Sequence, residues 1–231
     1  MQHCRDTLKL DSCVEPVPGN ELRKILTNVK HNKPPGCNGV TNSMIIHLPC
    51  HFIHQLIGMR NCALKLQHLP SIWKKLGLVA ISKPEKDYKF PKNLEPMSLL
   101  SCLWKIYEKI LWDRMMNHIS TNDLIADEQF GCMPDFSTAH PVTKLRTFVT
   151  SGFDKMMTTV LFLDTSKEYY STWPLGLIYK WTQMKFPGKW ITVIVSSFAQ
   201  RSLRITMDGT FSGRKPILVG VPQGSDLSPM L

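Results

Sequence analysis

The sequence contains no apolar stretch of the roughly 18 residues needed to cross a bilayer, so no membrane-spanning helix is expected. Its start lacks the charged, apolar and small-residue succession of a secretory leader. No Cys-x-x-Cys pair occurs, and the 7 cysteines are an odd number. Both facts argue against a disulfide framework and for reduced thiols in the cytoplasm or nucleus rather than a secreted protein. Repeats and low-complexity tracts are missing, so the chain reads as globular. Acidic residues are scarce: 18 Asp and Glu stand against 28 Lys and Arg, giving a net charge of +10. Such an excess points to a polyanionic partner, nucleic acid or an acidic membrane surface. The plainer alternative is that the lysines only keep the surface soluble.

What is present supports a core. Hydrophobic residues make up 43% of 231, enough for one large domain or two small ones. The 12 methionines and 6 tryptophans read as core filler. Residues 1–19 form an irregular lead-in. Leu22, Ile25, Leu26 and Val29 recur at helical spacing, predicting a helix over Asn20–Lys30 with Asn20 as N-cap. Lys33 to Gly39 holds two prolines and two glycines and must be a loop. A helical region over Thr41–Leu69 is interrupted near Pro49; its His47, His51 and His54 could share a face with zinc-ligand spacing, but Pro49 intervenes and no fourth ligand is near. Trp73–Ile81 predicts a strand running into a basic loop, where Lys83, Lys86, Lys89 and Lys92 are interleaved with Tyr88 and Phe90. Lysines neutralise phosphates and aromatics stack on bases, although a solvated hairpin tip looks the same. Ser101–Ser120 predicts a core helix with a Leu103, Ile106, Tyr107, Ile110, Leu111 stripe and a Lys109–Asp113 pair, and no chemistry. Further helices are expected near Ser137–Thr150, Pro174–Met184 and Trp190–Ala199. Leu203–Met207 and Thr210 onward form a hairpin around Asp208-Gly209, with another strand over Lys215–Val219. Ser225 and Asp226 open a helix about one turn before the last residue, which reads as truncation. The alternation of strands and helices with a late hairpin gives an α+β fold.

The stretch organising this pattern is Thr158–Trp173. Val160–Leu163 is an apolar run suited to a buried strand, and it stops at Asp164 before a polar turn and two tyrosines. A carboxylate there is costly unless paired or bound to a hard cation. The alternative is that Asp164 caps the next helix.

Several segments occur in a telling order: Pro35-Gly-Cys-Asn-Gly-Val40; Trp73-Lys with Ile81-Ser-Lys-Pro-Glu-Lys86; Pro96-Met-Ser-Leu-Leu-Ser101 with Lys105-Ile-Tyr-Glu-Lys109; Gln129-Phe-Gly131 with Ser137-Thr138; Phe162-Leu-Asp164; Ser197-Phe with Arg201; and Gly220-Val-Pro-Gln-Gly-Ser225 with Leu227-Ser-Pro229. Over nearly all of residues 20–231 this resembles the reverse transcriptase of non-LTR (LINE, jockey-like) retrotransposons. The resemblance implies a right-hand polymerase fold, with 20–150 as fingers, 151–231 as a partial palm, and no thumb. It implies RNA-templated addition of deoxynucleotides to a DNA primer 3′-hydroxyl, aided by two Mg2+ ions. Asp164 then matches the first metal-binding aspartate and Thr165 a backbone metal contact. Thr165 and Ser166 amides would face the triphosphate. Tyr169 falls where an aromatic gate excludes a 2′-hydroxyl, Gln223 and Gly224 pack on nucleotide and template, and Lys83 approaches phosphates.

The departures from that family are as informative. Its second and third metal-site aspartates, in an Asp-Asp hairpin, would lie beyond Leu231. One carboxylate does not hold two magnesium ions, so the chain alone is expected to be inactive. Glu95 stands where an arginine is usual, a charge reversal worth on the order of a few kcal/mol in a shielded cleft. Asn38 replaces an Asp; Cys132, Met133, Asp135 and Phe136 replace an aromatic, arginine and small-residue pattern; Glu168 and Tyr170 replace Ala and Asp. Two other readings stay open: a non-catalytic module binding RNA or RNA–DNA hybrid, and a translated relic without function.

Overall fold

The computed structural model describes residues 15–87, 89–152, 157–165, 168–207 and 209–228. Helix α1, Gly19–Thr27, buries Leu22, Ile25 and Leu26. It begins after Pro18, so Asn20 lies inside the first turn and is not the cap. Its end comes at Thr27 rather than Lys30, where Asn28 turns the chain. The interruption at Pro49 separates α2, Asn42–Ile46, from α3, Cys50–Lys65. Thr41 caps α2 by accepting the Met44 N–H. His47 and His54 each turn a ring nitrogen onto a carbonyl of their own helical turn, Ser43 and Cys50, at 2.8 Å. Among the described residues no three His, Cys, Asp or Glu side chains converge on a metal position.

A short 3-10 turn, Ser71–Lys74, leads into β1, Lys75–Ser82. The basic segment is the turn of an antiparallel hairpin, since β1 pairs with β2, Leu94–Leu99, from Gly77↔Leu99 to Ser82↔Leu94. Tyr88 lies outside the described residues. Helix α4, Cys102–Thr121, then runs through the core. Trp104, Ile106, Tyr107, Ile110, Leu111 and Met115 are all buried on it, and Trp73 packs onto Trp104 and Tyr107 with ring centroids 6.1 and 5.5 Å away. Each fully buried Leu or Ile here contributes about 1.5–3 kcal/mol. The expected pair forms between Lys109 and Asp113 at 3.0 Å. Arg114 clasps Glu21 with two nitrogens and reaches the Glu15 and Pro16 carbonyls, fixing α1 against α4.

Helix α5, Ala139–Gly152, buries no residue. The short α6, Glu168–Ser171, leads into α7, Pro174–Gln183, and α8, Gly188–Phe198, which buries 8 of its 11 residues. Ser196 on α8 accepts the Leu69 N–H at 3.0 Å, tying this region to the first half. Strand β3, Ser202–Met207, pairs in parallel with β1, from Lys75↔Ser202 to Val79↔Thr206. Parallel neighbours need a long crossover, and α4 to α8 lie within it. Thr210–Phe211, β4, completes the expected hairpin with β3; Asp208 lies outside the described residues. Only Lys215–Pro216, β5, remains of the strand expected over Lys215–Val219, because the chain leaves the ladder after Ile217 bonds the Arg201 carbonyl. The sheet runs β2-β1-β3-β4, with β5 also on β3.

The buried strand expected over Val160–Leu163 does not form. Residues 157–165 are coil, and Leu161, Phe162 and Leu163 are 79%, 80% and 87% exposed. An apolar run folds as a buried strand only where a ladder and a covering layer receive it, and neither is available to it among the described residues. No helix among the described residues is long and apolar enough to cross a membrane.

Two glycines give opposite expectations. A Cβ at Gly36 would lie 2.5 Å from Ser101 N and 2.6 Å from the Leu100 carbonyl carbon, so Gly36→Ala should cost about 1–3 kcal/mol by overpacking the start of α4. A Cβ at Gly58, within α3, meets nothing within 4 Å, so Gly58→Ala should stabilise by about 0.5–1 kcal/mol. Thermal melts of the two variants should move in opposite directions.

Candidate functional site

The candidate site assembles around the loop of residues 220–228, which lies along the outer edge of β2. The loop starts at Gly220, whose φ of +83° suits glycine, and whose missing Cβ would sit 2.8 and 2.7 Å from the Tyr169 and Tyr170 carbonyl oxygens. Two backbone bonds stitch it to α6: Gly220 N–H donates to the Thr172 carbonyl and Val221 N–H to that of Tyr169, at 2.8 and 2.6 Å. The buried Arg201 donates to the Gly220 carbonyl at 2.7 Å; burial lowers its pKa to about 10. One step on, the Ser98 N–H of β2 donates to the Gln223 carbonyl at 3.1 Å. Pro96 sits in the same edge strand, where a missing N–H costs no ladder bond.

Side chains converge here. The Tyr170 hydroxyl donates to Gln223 Oε1 at 2.6 Å and also touches the Pro96 carbonyl. The Gln223 amide donates to Glu95 at 2.7 Å. Burial, and then the Glu95 charge, raise the Tyr170 pKa. Tyr169 is half-buried, and its pKa is likewise raised, first by burial and then by Cys132 and Glu168. Gly224 follows with φ +99°. Glu95 and Tyr170, the unusual residues of this chain, thus bond directly to Gln223.

The loop is held from beneath by Glu108 of α4, which is 1% exposed. The Ser225 hydroxyl donates to its carboxylate in a short contact, and the Asp226 and Leu227 N–H groups face it. Ser225 in turn accepts the Ser228 N–H at 3.3 Å, although residues 226 and 227 are bends and not the helix expected to open there. Burial pushes the Glu108 carboxyl up to about 8, against the partial relief of those donors. Sequence reading assigned no chemistry to this helix. The signal was there: Trp104, Leu111 and Met115, four before, three after and seven after Glu108, are all buried, so the spacing places a carboxylate in the core-facing stripe.

Other expected site residues lie apart. Asp164 and Thr165 are exposed in the coil after the apolar run. Helix α6 starts four residues beyond Asp164, which therefore does not cap it. Ser166 lies outside the described residues. Lys83 is exposed on the β1–β2 turn, its N–H bonded to the Asn93 carbonyl. The structure bonds Tyr169 to Val221 and Tyr170 to Gln223, both in the loop that carries Gly224, and shows no bond from Asp164 or Lys83 to that loop among the described residues.

A mixed α+β domain with a basic surface and a glutamine-glycine loop docked on an aromatic pair is thus the class defined so far. The family described as reverse transcriptase (RNA-dependent DNA polymerase) matches residues 81–231. A probable RNA-directed DNA polymerase from transposon BS of Drosophila melanogaster is 29% identical over 225 residues, covering 97% of this chain and 25% of that protein. Its counterpart from transposon X-element of the same species is 26% identical, again over 97% of this chain and 25% of that protein. The RNA-directed DNA polymerase from mobile element jockey of D. melanogaster is 29% identical over 91% of this chain and 23% of that protein. This chain belongs to the reverse transcriptase family, and it spans about a quarter of the length of these relatives.

Glu108 yields a pH expectation. Between the ordinary value of 4.5 and about 8 the unfolded chain has released a proton that the folded chain keeps, so stability falls as pH rises through that window. At about 1.4 kcal/mol per pH unit the full loss is on the order of 5 kcal/mol. Glu108→Gln stays neutral and keeps an acceptor for Ser225. Denaturant melts should show a downward slope with pH for the parent and a flatter one for the variant; parallel curves would count against a buried carboxyl.

Proposed function

We propose that the chain is the reverse transcriptase domain of a mobile element of the non-LTR, jockey-like kind, built to add deoxynucleotides to a DNA primer 3′-hydroxyl on an RNA template. The observation that carries this reading is the loop 220–228: the Tyr170 hydroxyl bonds Gln223, the Tyr169 carbonyl takes the Val221 N–H, and the other motifs of the family precede the loop in order. Residues 20–150 act as fingers and 151–231 as the first part of a palm. Tyr169 is the gate against a 2′-hydroxyl, Gln223 and Gly224 support the incoming nucleotide and template, the Thr165 and Ser166 amides face the triphosphate, and Lys83 serves its phosphates.

Two Mg2+ ions, with Asp164 and the Thr165 carbonyl among their ligands, would supply charge neutralisation in such a reaction. Magnesium demands near-octahedral oxygen ligands. Among the described residues no three Asp, Glu, His or Cys side chains converge on a metal position, and Asp164 is exposed in coil. These donors do not fit a two-metal centre. The chain's own residues bind and orient: the Gln223 amide and Tyr170 hydroxyl fix each other, and Gly224 leaves room for a close approach. Glu95, beside Gln223, places a negative charge where a triphosphate would come.

Purified chain 1–231 should therefore bind RNA with strong salt dependence and fail to extend an annealed DNA primer with Mg2+ and deoxynucleotides. Incorporation of label would refute the inactivity. Absence of RNA binding at low salt would refute the nucleic-acid reading altogether.

A further inference from the structure

A second candidate site also borders Gly224. A cleft of about 630 Å3 opens between α1, the loop after it, and α4, and Gly224 and Asp226 are among the residues that line it. Lysines reach it from each wall: Lys24 on α1, Lys30 and Lys33 on the following loop, Lys105 and Lys109 on α4. Three carboxylates also line it, but two are spoken for. Asp113 pairs with Lys109, and Glu21 is held by Arg114. Lys24, Lys30, Lys33 and Lys105 make no salt bridge among the described residues, leaving four uncompensated cations against Asp226.

The walls are fixed, not fortuitous. The buried Asn42 amide bonds the Lys30 carbonyl at 2.7 Å, anchoring the loop. Gly36, three residues past Lys33, is pressed onto the Leu100–Ser101 backbone at the start of α4. Like charges gathered in a concave recess repel one another, and that cost is relieved only by an anion.

We propose that this cleft binds the phosphodiester backbone of one nucleic-acid strand and leads it toward Gly224. The assignment rests on the reverse transcriptase reading for the meaning of Gly224, and adds a binding surface to it. It is separate from the lysine-rich β1–β2 turn, which the sequence alone singled out.

The test uses the full chain and fluorescein-labelled polyuridylate, which has little structure of its own. The variant replaces Lys24, Lys30, Lys33 and Lys105 together by Gln; a control variant replaces Lys86, Lys89 and Lys92. All seven side chains are at least partly exposed, and matching thermal melts verify folding. Each lysine that meets a phosphate adds about 0.7 to the slope of log K against log salt on a single strand. The cleft variant should lose affinity at least roughly tenfold at low salt and have a slope shallower by about 2–3. The turn variant should retain most of the parent slope. Parent binding with an unchanged slope in the cleft variant overturns this site and leaves the family reading standing. Competition by polyglutamate as effective as by RNA, at equal charge, overturns it in favour of an acidic protein partner. No binding by the parent defeats both this site and the nucleic-acid reading.

Discussion

The parallel pairing of β1 with β3 is the contact on which the rest depends. It joins Lys75–Val79 to Ser202–Thr206 and so forces the five helices from α4 to α8 into one crossover. With β1 central, β2 becomes an edge, and an edge strand presents unpaired N–H and C=O groups. The Gln223 carbonyl takes one of them, from Ser98. The candidate site is therefore what covers the open edge of the sheet, and its loop is positioned by the same ladder that closes the fold.

That loop is fixed by polar contacts more than by apolar ones. Gly220 lets it pass within reach of the α6 carbonyls, Arg201 holds its first carbonyl, and Glu108 gathers its far end. A buried carboxyl of this kind is a poor source of stability, since replacement by an apolar residue often costs little. Its effect is directional. A hydroxyl and two amides must face one point on α4, which leaves the Gln223–Gly224 turn little choice of place.

Period and punctuation made much of this legible. The α4 stripe, the Pro49 break, the Pro174 start and the β3–β4 hairpin all follow from spacing and turn residues, to within a few residues at the ends. The parallel β1–β3 pairing was not legible, because nothing local in Lys75–Val79 names a partner so distant along the chain. The Val160–Leu163 error has a related cause. Four apolar β-formers satisfy every local rule for a buried strand, but burial is conferred by neighbours, and the sheet here leaves those residues exposed. Glu108 was readable and was passed over, since a search for chemistry in clefts and turns skips a helix that looks wholly structural.

The two halves of the candidate site thus rest on different physics. Tyr169, Tyr170, Gln223 and Gly224 are placed by backbone bonds to a sheet edge and by a buried carboxyl, so their mutual geometry follows from the core. Asp164 follows a run whose apolar side chains face solvent, and no core contact sets its position. Apolar exposure of that extent is unfavourable at about 25 cal/mol per Å2, and pairing the run would recover it. Whatever covers Leu161–Leu163 would then also decide where the Asp164 carboxylate points. The tyrosine–glutamine contact and the position of Asp164 are in this sense separable in this chain: the first is built into its fold, and the second awaits an ordering contact that its described residues do not supply.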